Sequence, residues 1–315
     1  MNDFATTARQ VWYAPGRNAP LGRCIGRGGE GAVYDFGRGL VKLYRAHVTG
    51  DAQVLRAIRR KIEAMCRSTA FRDDVRYAWP LFPVFRDRDC REFAGFAMSK
   101  KSGVSLQAVC TLRTLRETFP TWNRLDVAHV ALALLDALIA LEAAKILPGD
   151  VSPNNFLVDG TGNVSCLDVD SYQFCADGEL HKCGVITPMF APLELLDNQG
   201  AGLERTSYHL RFSVGLLVYH VLTYGCSPYM TTWGDCPISN LRKGKTAMGG
   251  SSGRASAFVP RAIFQRYMDL DRAAKAVCLK TFIDGHHDPA ARPPLEAWRA
   301  AVERHIWRLK QRIAA

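Results

Sequence analysis

The chain has no pair of closely spaced cysteines, although ten are spread along its 315 residues. The nearest pairs, Cys175/Cys183 and Cys226/Cys236, lack metal-ligand spacing and a second pair to complete a tetrahedral site. Dispersed thiols of this kind suit a reducing compartment, so the expected location is cytoplasmic. Met1 to Gln10 has no apolar stretch resembling a signal peptide. The most apolar run, Val130 to Leu141, contains Asp136 and is too short to cross a bilayer. No internal repeat and no low-complexity linker interrupts the chain. Acidic residues are in deficit, 30 against 41 basic ones, for a formal net charge of +11. That field favours anionic partners. The basic residues are scattered rather than interleaved with aromatics, which excludes nucleic acid from the expected partners.

What the chain does contain begins with glycine. Gly26-Arg27-Gly28-Gly29-Glu30-Gly31 fits GxGxxG between two strand-like runs, Leu21 to Ile25 and Ala32 to Phe36. Such glycines free the backbone to approach phosphates and aim N–H groups at them. A dinucleotide-binding fold would need a helix after the glycines. Here Val33-Tyr34 continues as strand, which suits a flap over a nucleotide. Lys42 lies in the next predicted strand, Leu40 to Tyr44. It is either a solvent-facing residue or, beneath the flap, a ligand for the α- and β-phosphates.

Residues 51 to 67 carry Val54, Leu55, Ile58, Ile62 and Met65 on one helical face. Short strands are predicted around Trp79 to Phe85 and Phe93 to Met98. Beyond Ser99 to Gly103 the pattern becomes helical. Leu125 to Leu141 is apolar nearly all round, as a central buried helix would be. Phe212 to Leu222 reads as a second buried helix, with others over 259–283 and 293–312. The expectation is an α+β protein with a β-rich N-terminal lobe (1–98), a hinge (99–103) and a mainly helical C-terminal lobe (104–315). Trp122, Trp233 and Trp298 are expected to pack in the core or an interface. His286-His287 reads as a loop pair rather than a metal site.

The densest chemistry follows the long helix. Pro148-Gly149-Asp150-Val151-Ser152-Pro153-Asn154-Asn155 is followed by a short hairpin and then by Leu167-Asp168-Val169-Asp170. Phosphoryl transfer needs hard oxygen ligands for a metal and one carboxylate near the acceptor hydroxyl. Asp150 would take the hydroxyl proton or orient the nucleophile, while Asn155 and Asp168 would hold Mg²⁺ against the triphosphate.

These segments resemble the eukaryotic-type protein kinases over roughly residues 20 to 305. Ile186 to Glu194 looks like the end of an activation segment, with Glu194 matching the glutamate of A-P-E. Asp288-Pro289-Ala290-Ala291-Arg292-Pro293 looks like the late D-P-x-x-R-P signature, implying an Arg292–Glu194 ion pair. Arg211 to Gly215 resembles the helix beneath the catalytic loop. Lys61 to Met65, Ala78-Trp79-Pro80 and Asp168-Val169-Asp170-Ser171 look like a bacterial subgroup that includes kinases of tellurite-resistance (TerY-linked phosphorylation) systems.

The resemblance implies a protein-kinase-like fold, ATP and Mg²⁺ as cofactors, and a protein substrate phosphorylated on Ser or Thr. It implies Asp150, Lys42 and Glu63 as catalytic residues. Gly26, Gly28, Gly31, Val33, Lys42 and Met98 would bind nucleotide, and Asn155 and Asp168 the metal. Either Glu63 pairs with Lys42 or registration with Met65 puts Lys61 there instead.

The departures are as specific as the matches. H-R-D reads Pro148-Gly149-Asp150, so the His and Arg are absent, and with them the usual handle on a phosphorylated loop. Ser152 replaces a lysine, Leu210 replaces the aspartate that opens the large-lobe helix, and D-F-G reads Asp168-Val169-Asp170. Asp170 is either a second acidic contact to metal or a turn residue. Ser171, Tyr172 and Thr187 are candidate phosphorylation sites. Two other classes compete with an active protein kinase: a pseudokinase scaffold, and a small-molecule phosphotransferase of the aminoglycoside/choline kinase type. Retention of Lys42, Asp150, Asn155 and Asp168 favours activity, and the Glu194 and Arg292 segments favour a protein kinase.

Overall fold

A computed structural model describes residues 4–197, 202–231, 236–248 and 259–314. The chain divides into two compact units. One comprises the chain through Lys101 together with Leu167–Asp170 and Ala176–His181. The other holds Ser102–Cys166, Ser171–Cys175 and the chain from Lys182.

The first unit is built on an antiparallel sheet. Its strands are β1 (Gln10–Ala14), β2 (Arg17–Pro20), β3 (Cys24–Arg27), β4 (Gly31–Phe36), β5 (Gly39–Tyr44), β6 (Pro80–Phe85) and β7 (Phe93–Ser99), in spatial order β2-β1-β6-β7-β5-β4-β3. The β1–β2 hairpin was not expected. Its turn rests on Gly16 at φ 72°, and its short, largely exposed strands carry little hydrophobic alternation to reveal them. Lys42 sits mid-strand in β5, opposite Val33 on one side and Phe96 on the other. Val11, Ala32, Tyr34, Val41, Leu43, Val84 and Ala97 form a buried core on the sheet.

Two glycines hold the sheet together around Lys42. A Cβ at Gly95 would overlap the Lys42 carbonyl oxygen, and one at Gly31 would lie 2.6 Å from the Leu43 carbonyl oxygen. Both obstacles are backbone, which cannot swing aside. Gly95→Ala is therefore expected to lower the unfolding free energy of the chain by about 1–3 kcal/mol. Urea titration checks this, and an unchanged midpoint would contradict the packing.

Helix α1 (Ala52–Arg67) crosses this unit. Asp51 caps it by accepting from the Gln53 and Val54 amides. Its buried face carries Lys61, Ile62, Ala64 and Met65. Near its C-terminus the Trp79 indole donates to the Met65 carbonyl at 2.9 Å, satisfying an end-of-helix acceptor. Arg60 and Arg67 reach Glu179 and Asp177 in the Ala176–His181 segment.

The second unit is mainly helical. Helix α2 (Arg124–Ala143) opens with a reciprocal cap between Asn123 and Asp126. Val127, Val130, Ala131, Leu134, Leu135, Leu138 and Leu141 are buried along it, as its all-round hydrophobicity predicts. Helix α3 (Ser207–Leu222) starts five residues before the expected position, capped by Thr206 and His209. Helix α4 (Leu295–Ala314) packs beside α2, with Arg299 Nε 2.6 Å from Asp136. The expected helix over 259–283 is broken. Arg261–Asp269 and Arg272–Leu279 are separate, because Asp271 caps the second by accepting from the Ala274 amide.

Trp298 is buried, donating to Thr281, while Trp122 stacks half-buried on Phe119. Trp233 lies outside the described residues. A small sheet of β8 (Val104–Ser105), β9 (Phe156–Val158) and β10 (Val164–Cys166) carries the hairpin expected between Asn155 and Asp168. The architecture is α+β and compatible with a kinase-like fold. Among the described residues no helix is long and apolar enough to cross a membrane.

Candidate active site

In the first unit the Gly-rich segment forms the β3–β4 hairpin, closed by the Gly28 amide donating to the Gly31 carbonyl at 2.9 Å. Gly26 and Gly28 are exposed, and a Cβ on Gly26 or Gly29 would meet open space. Room beside the backbone N–H groups is what a phosphate-facing flap needs. Val33 is half-buried in β4. Met98 is buried near the end of β7, paired with Leu40 and Pro80.

Lys42 is buried and ion-paired twice. Its ammonium donates to Asp168 Oδ1 at 2.5 Å and to both Asp170 oxygens at 3.0 and 2.8 Å. The Tyr44 hydroxyl donates to Asp170 Oδ2 at 2.7 Å. Lys42 and Tyr44 share a face of β5 because side chains alternate along a strand. Burial disfavours the Lys42 charge, yet the Asp170 and Asp168 carboxylates outweigh it and raise its pKa above the ordinary lysine value. Burial likewise works against ionised Asp170, but the Lys42 charge and the hydrogen bonds from Lys42 and Tyr44 hold its pKa below the usual carboxylate range. Glu30, near the tip of the hairpin, is pushed upward by burial. Asp170 and Asp168 add to that shift, while Lys42 and Lys61 oppose it. Asp168 has φ 52°, a left-handed backbone that aspartate tolerates and that often marks functional positions.

Glu63 is engaged elsewhere. Its carboxylate accepts from Arg59 Nε at 2.8 Å, one helical turn earlier. Lys61 holds the buried position on α1 and contributes to the electrostatics of Asp170 and Glu30. Sequence reasoning left Asp170 undecided and did not single out Tyr44. The available signals were an acidic residue in place of a glycine, and a Tyr two residues from Lys42 on the same strand face.

In the second unit Asp150 and Asn155 come together on the loop before β9. The Asn155 amide donates to the Asp150 backbone carbonyl at 2.8 Å and to Asp150 Oδ2 at 2.9 Å. Asp150 Oδ1 has no hydrogen-bond partner among the described residues. Leu147 pairs with Gln173 through two backbone hydrogen bonds of 2.8 Å, anchoring the start of the loop.

The missing side chain at Gly149 has been filled from elsewhere. A Cβ there would overlap Cys183 Sγ and lie 3.3 Å from Arg205 Nε. Arg205 is buried, donating through Nη2 to the Val185 carbonyl at 3.2 Å, and its backbone is clamped by the Gln173 amide. The expected Arg292–Glu194 pair is present and bidentate, with Nη1–Oε1 at 2.5 Å and Nη2–Oε2 at 3.0 Å. Arg292 also donates to the Gly285 and Tyr208 carbonyls and lies over the Phe212 ring.

Of the candidate phosphorylation sites, Ser171 and Tyr172 are buried and Thr187 is half-buried. His286 is buried against the His287 ring, and no group of three His, Cys, Asp or Glu suited to a metal occurs among the described residues. All ten cysteines are free thiols.

No protein-family model matches the chain. It is similar to the protein named Protein kinase YegI of Escherichia coli K12, 32% identical over 225 residues, which cover 70% of this chain and 34% of that protein. It is also similar to Protein kinase YegI of Escherichia coli O157:H7, 28% identical over 303 residues, covering 93% of this chain and 46% of the relative. The chain thus spans about a third to a half of the length of the curated relatives it matches.

Proposed function

We propose that this chain is a Mg²⁺- and ATP-dependent protein kinase that transfers the γ-phosphate to Ser or Thr hydroxyls of a protein substrate. The observation that carries the proposal is Lys42, held in mid-sheet opposite the Gly-rich hairpin and ion-paired to Asp168. Similarity to bacterial proteins named protein kinases supports it. The Asp168-Val169-Asp170-Ser171 and Ala78-Trp79-Pro80 segments support the finer placement with kinases linked to tellurite-resistance systems.

The roles follow from chemistry. The hairpin N–H groups and Lys42 bind phosphate oxygens, supplying positive charge where negative charge is carried. Asp168 and Asn155 each carry an oxygen-bearing side chain of the kind Mg²⁺ takes. When bound, Mg²⁺ neutralises phosphate charge. Asp150, with Oδ2 fixed by Asn155 and Oδ1 unpartnered, accepts the proton of the substrate hydroxyl.

Differential scanning fluorimetry with ATP provides the first test. Stabilisation by ATP is expected to require Mg²⁺, because a ligand of the folded state raises its stability. Asp168→Ala is expected to keep the fold and lose the Mg²⁺-dependent part. An unchanged Mg-ATP affinity in that variant would refute the metal role. Labelled ATP with casein and a panel of aminoglycosides then separates the classes. Label on aminoglycosides alone would indicate a small-molecule phosphotransferase, and binding without label a scaffold.

A further inference from the structure

We propose that Asp170 is the positioning residue for Lys42, standing in for a helix carboxylate, and that Lys61 occupies the inward helix position in exchange. The inference rests on the phosphoryl-transfer reading of Lys42 and goes beyond it by naming what orients that lysine.

Three observations carry the assignment. First, the two carboxylates on Lys42 differ in access: the Asp168 side chain is 32% exposed, the Asp170 side chain 4%. Asp168 is open to a ligand from solvent, whereas Asp170 faces the protein. Asp170 is also fixed from two directions, with both oxygens on the Lys42 ammonium and Oδ2 on the Tyr44 hydroxyl. A carboxylate so fixed can hold an ammonium in one place while Asp168 does other work.

Second, the helix cannot supply the carboxylate. Residues two apart on an α-helix point about 200° apart, so Lys61 and Glu63 cannot both face the sheet. Ile62 and Met65 are buried on the inward side with Lys61, and Glu63 is held by Arg59. Third, the signs compensate. The Lys61 charge lowers the Asp170 and Glu30 carboxyl pKa values, so a helix cation accompanies the added carboxylate on the loop. The arrangement is a charge exchange between two positions, not the loss of one partner.

An exchange can be reversed, and that supplies the test. Four proteins are compared: the unaltered chain, Asp170→Asn, Lys61→Glu and the double variant. In thermal unfolding without nucleotide, each single change is expected to lower Tm, and the double variant to recover at least half of the Asp170→Asn loss. In transfer from Mg-ATP to casein, Asp170→Asn is expected to lower kcat about 100-fold, the scale of a misplaced catalytic group, with little change in KM for ATP. The double variant is expected to regain about tenfold of that loss, on the scale of one restored electrostatic contact.

Additive losses in Tm and kcat would overturn the exchange, because a merely structural aspartate gains nothing from a carboxylate on the helix. If the unaltered chain transfers no phosphate, the functional reading fails, and the unfolding cycle alone decides the pairing. Should Asp170→Asn not fold, Tyr44→Phe probes the same contact. It is expected to lower kcat a few-fold, and an unchanged kcat would overturn the assignment.

Discussion

Replacing Arg292 with alanine is expected to destabilise the second unit by about 3–5 kcal/mol, the usual cost of removing one partner from a buried ion pair. The side chain is 1% exposed and satisfies more than one acceptor. Its guanidinium bridges Glu194, Gly285 and Tyr208. Truncation leaves two backbone carbonyls and a carboxylate without their donor and opens a gap beside Phe212. Urea unfolding of the second unit should shift strongly, and a midpoint within error of the unaltered chain would contradict the description.

The same pair predicts a pH effect. Burial raises the Glu194 pKa, but the Arg292 hydrogen bonds and charge lower it by more, so the folded value lies below the ordinary glutamate value. A carboxylate with a depressed folded pKa stabilises fully above its unfolded value, and that contribution is lost as pH falls through the folded one. Arg292→Ala should therefore flatten the stability profile below about pH 4.5, the ordinary glutamate range. A profile parallel to that of the unaltered chain would show that Glu194 gains nothing from Arg292.

Lys42→Met is expected to lower transfer by 10²–10³-fold, roughly what losing one preorganised electrostatic donor costs. It should also destabilise the first unit, because Asp170 stays buried after losing the cation it contacts. The two effects can be separated. Adding Asp170→Asn to Lys42→Met removes the stranded charge and should restore part of the stability while restoring none of the transfer. If Lys42→Met alone leaves both Tm and transfer unchanged, the lysine neither binds phosphate nor organises the loop.

Glycine spacing and periodicity made the hairpin, the strand around Lys42 and the long helix over Leu125 to Leu141 readable in the sequence, whereas the Arg292–Glu194 pair was implied by the resemblance to protein kinases. Each depends on local residue pattern or on a signature of several fixed positions. The phase of α1 was readable too, in Ile58, Ile62 and Met65, and registration with Met65 puts Lys61 rather than Glu63 on the buried face. What the sequence does not reveal is that Asp170, more than 100 residues away, places a carboxylate beside Lys42. The stretch 259–283 reads as helical because a polar Asp271 does not interrupt an amphipathic pattern. Its capping role, which divides the helix, appears only when the Ala274 amide is found on its oxygen. An aromatic in a strand ordinarily packs in the core, and only its hydroxyl contact with Asp170 distinguishes Tyr44.

The filled space at Gly149 bears on how this loop can change over generations. With Cys183 sulfur where a β-carbon would go and the Arg205 guanidinium just behind it, no larger residue fits without displacing both. Before an arginine could occupy that position, the cysteine would have to shrink or move. The space at this loop position is thereby tied to a residue 34 positions downstream, so a side chain at 149 requires a change at Cys183 as well.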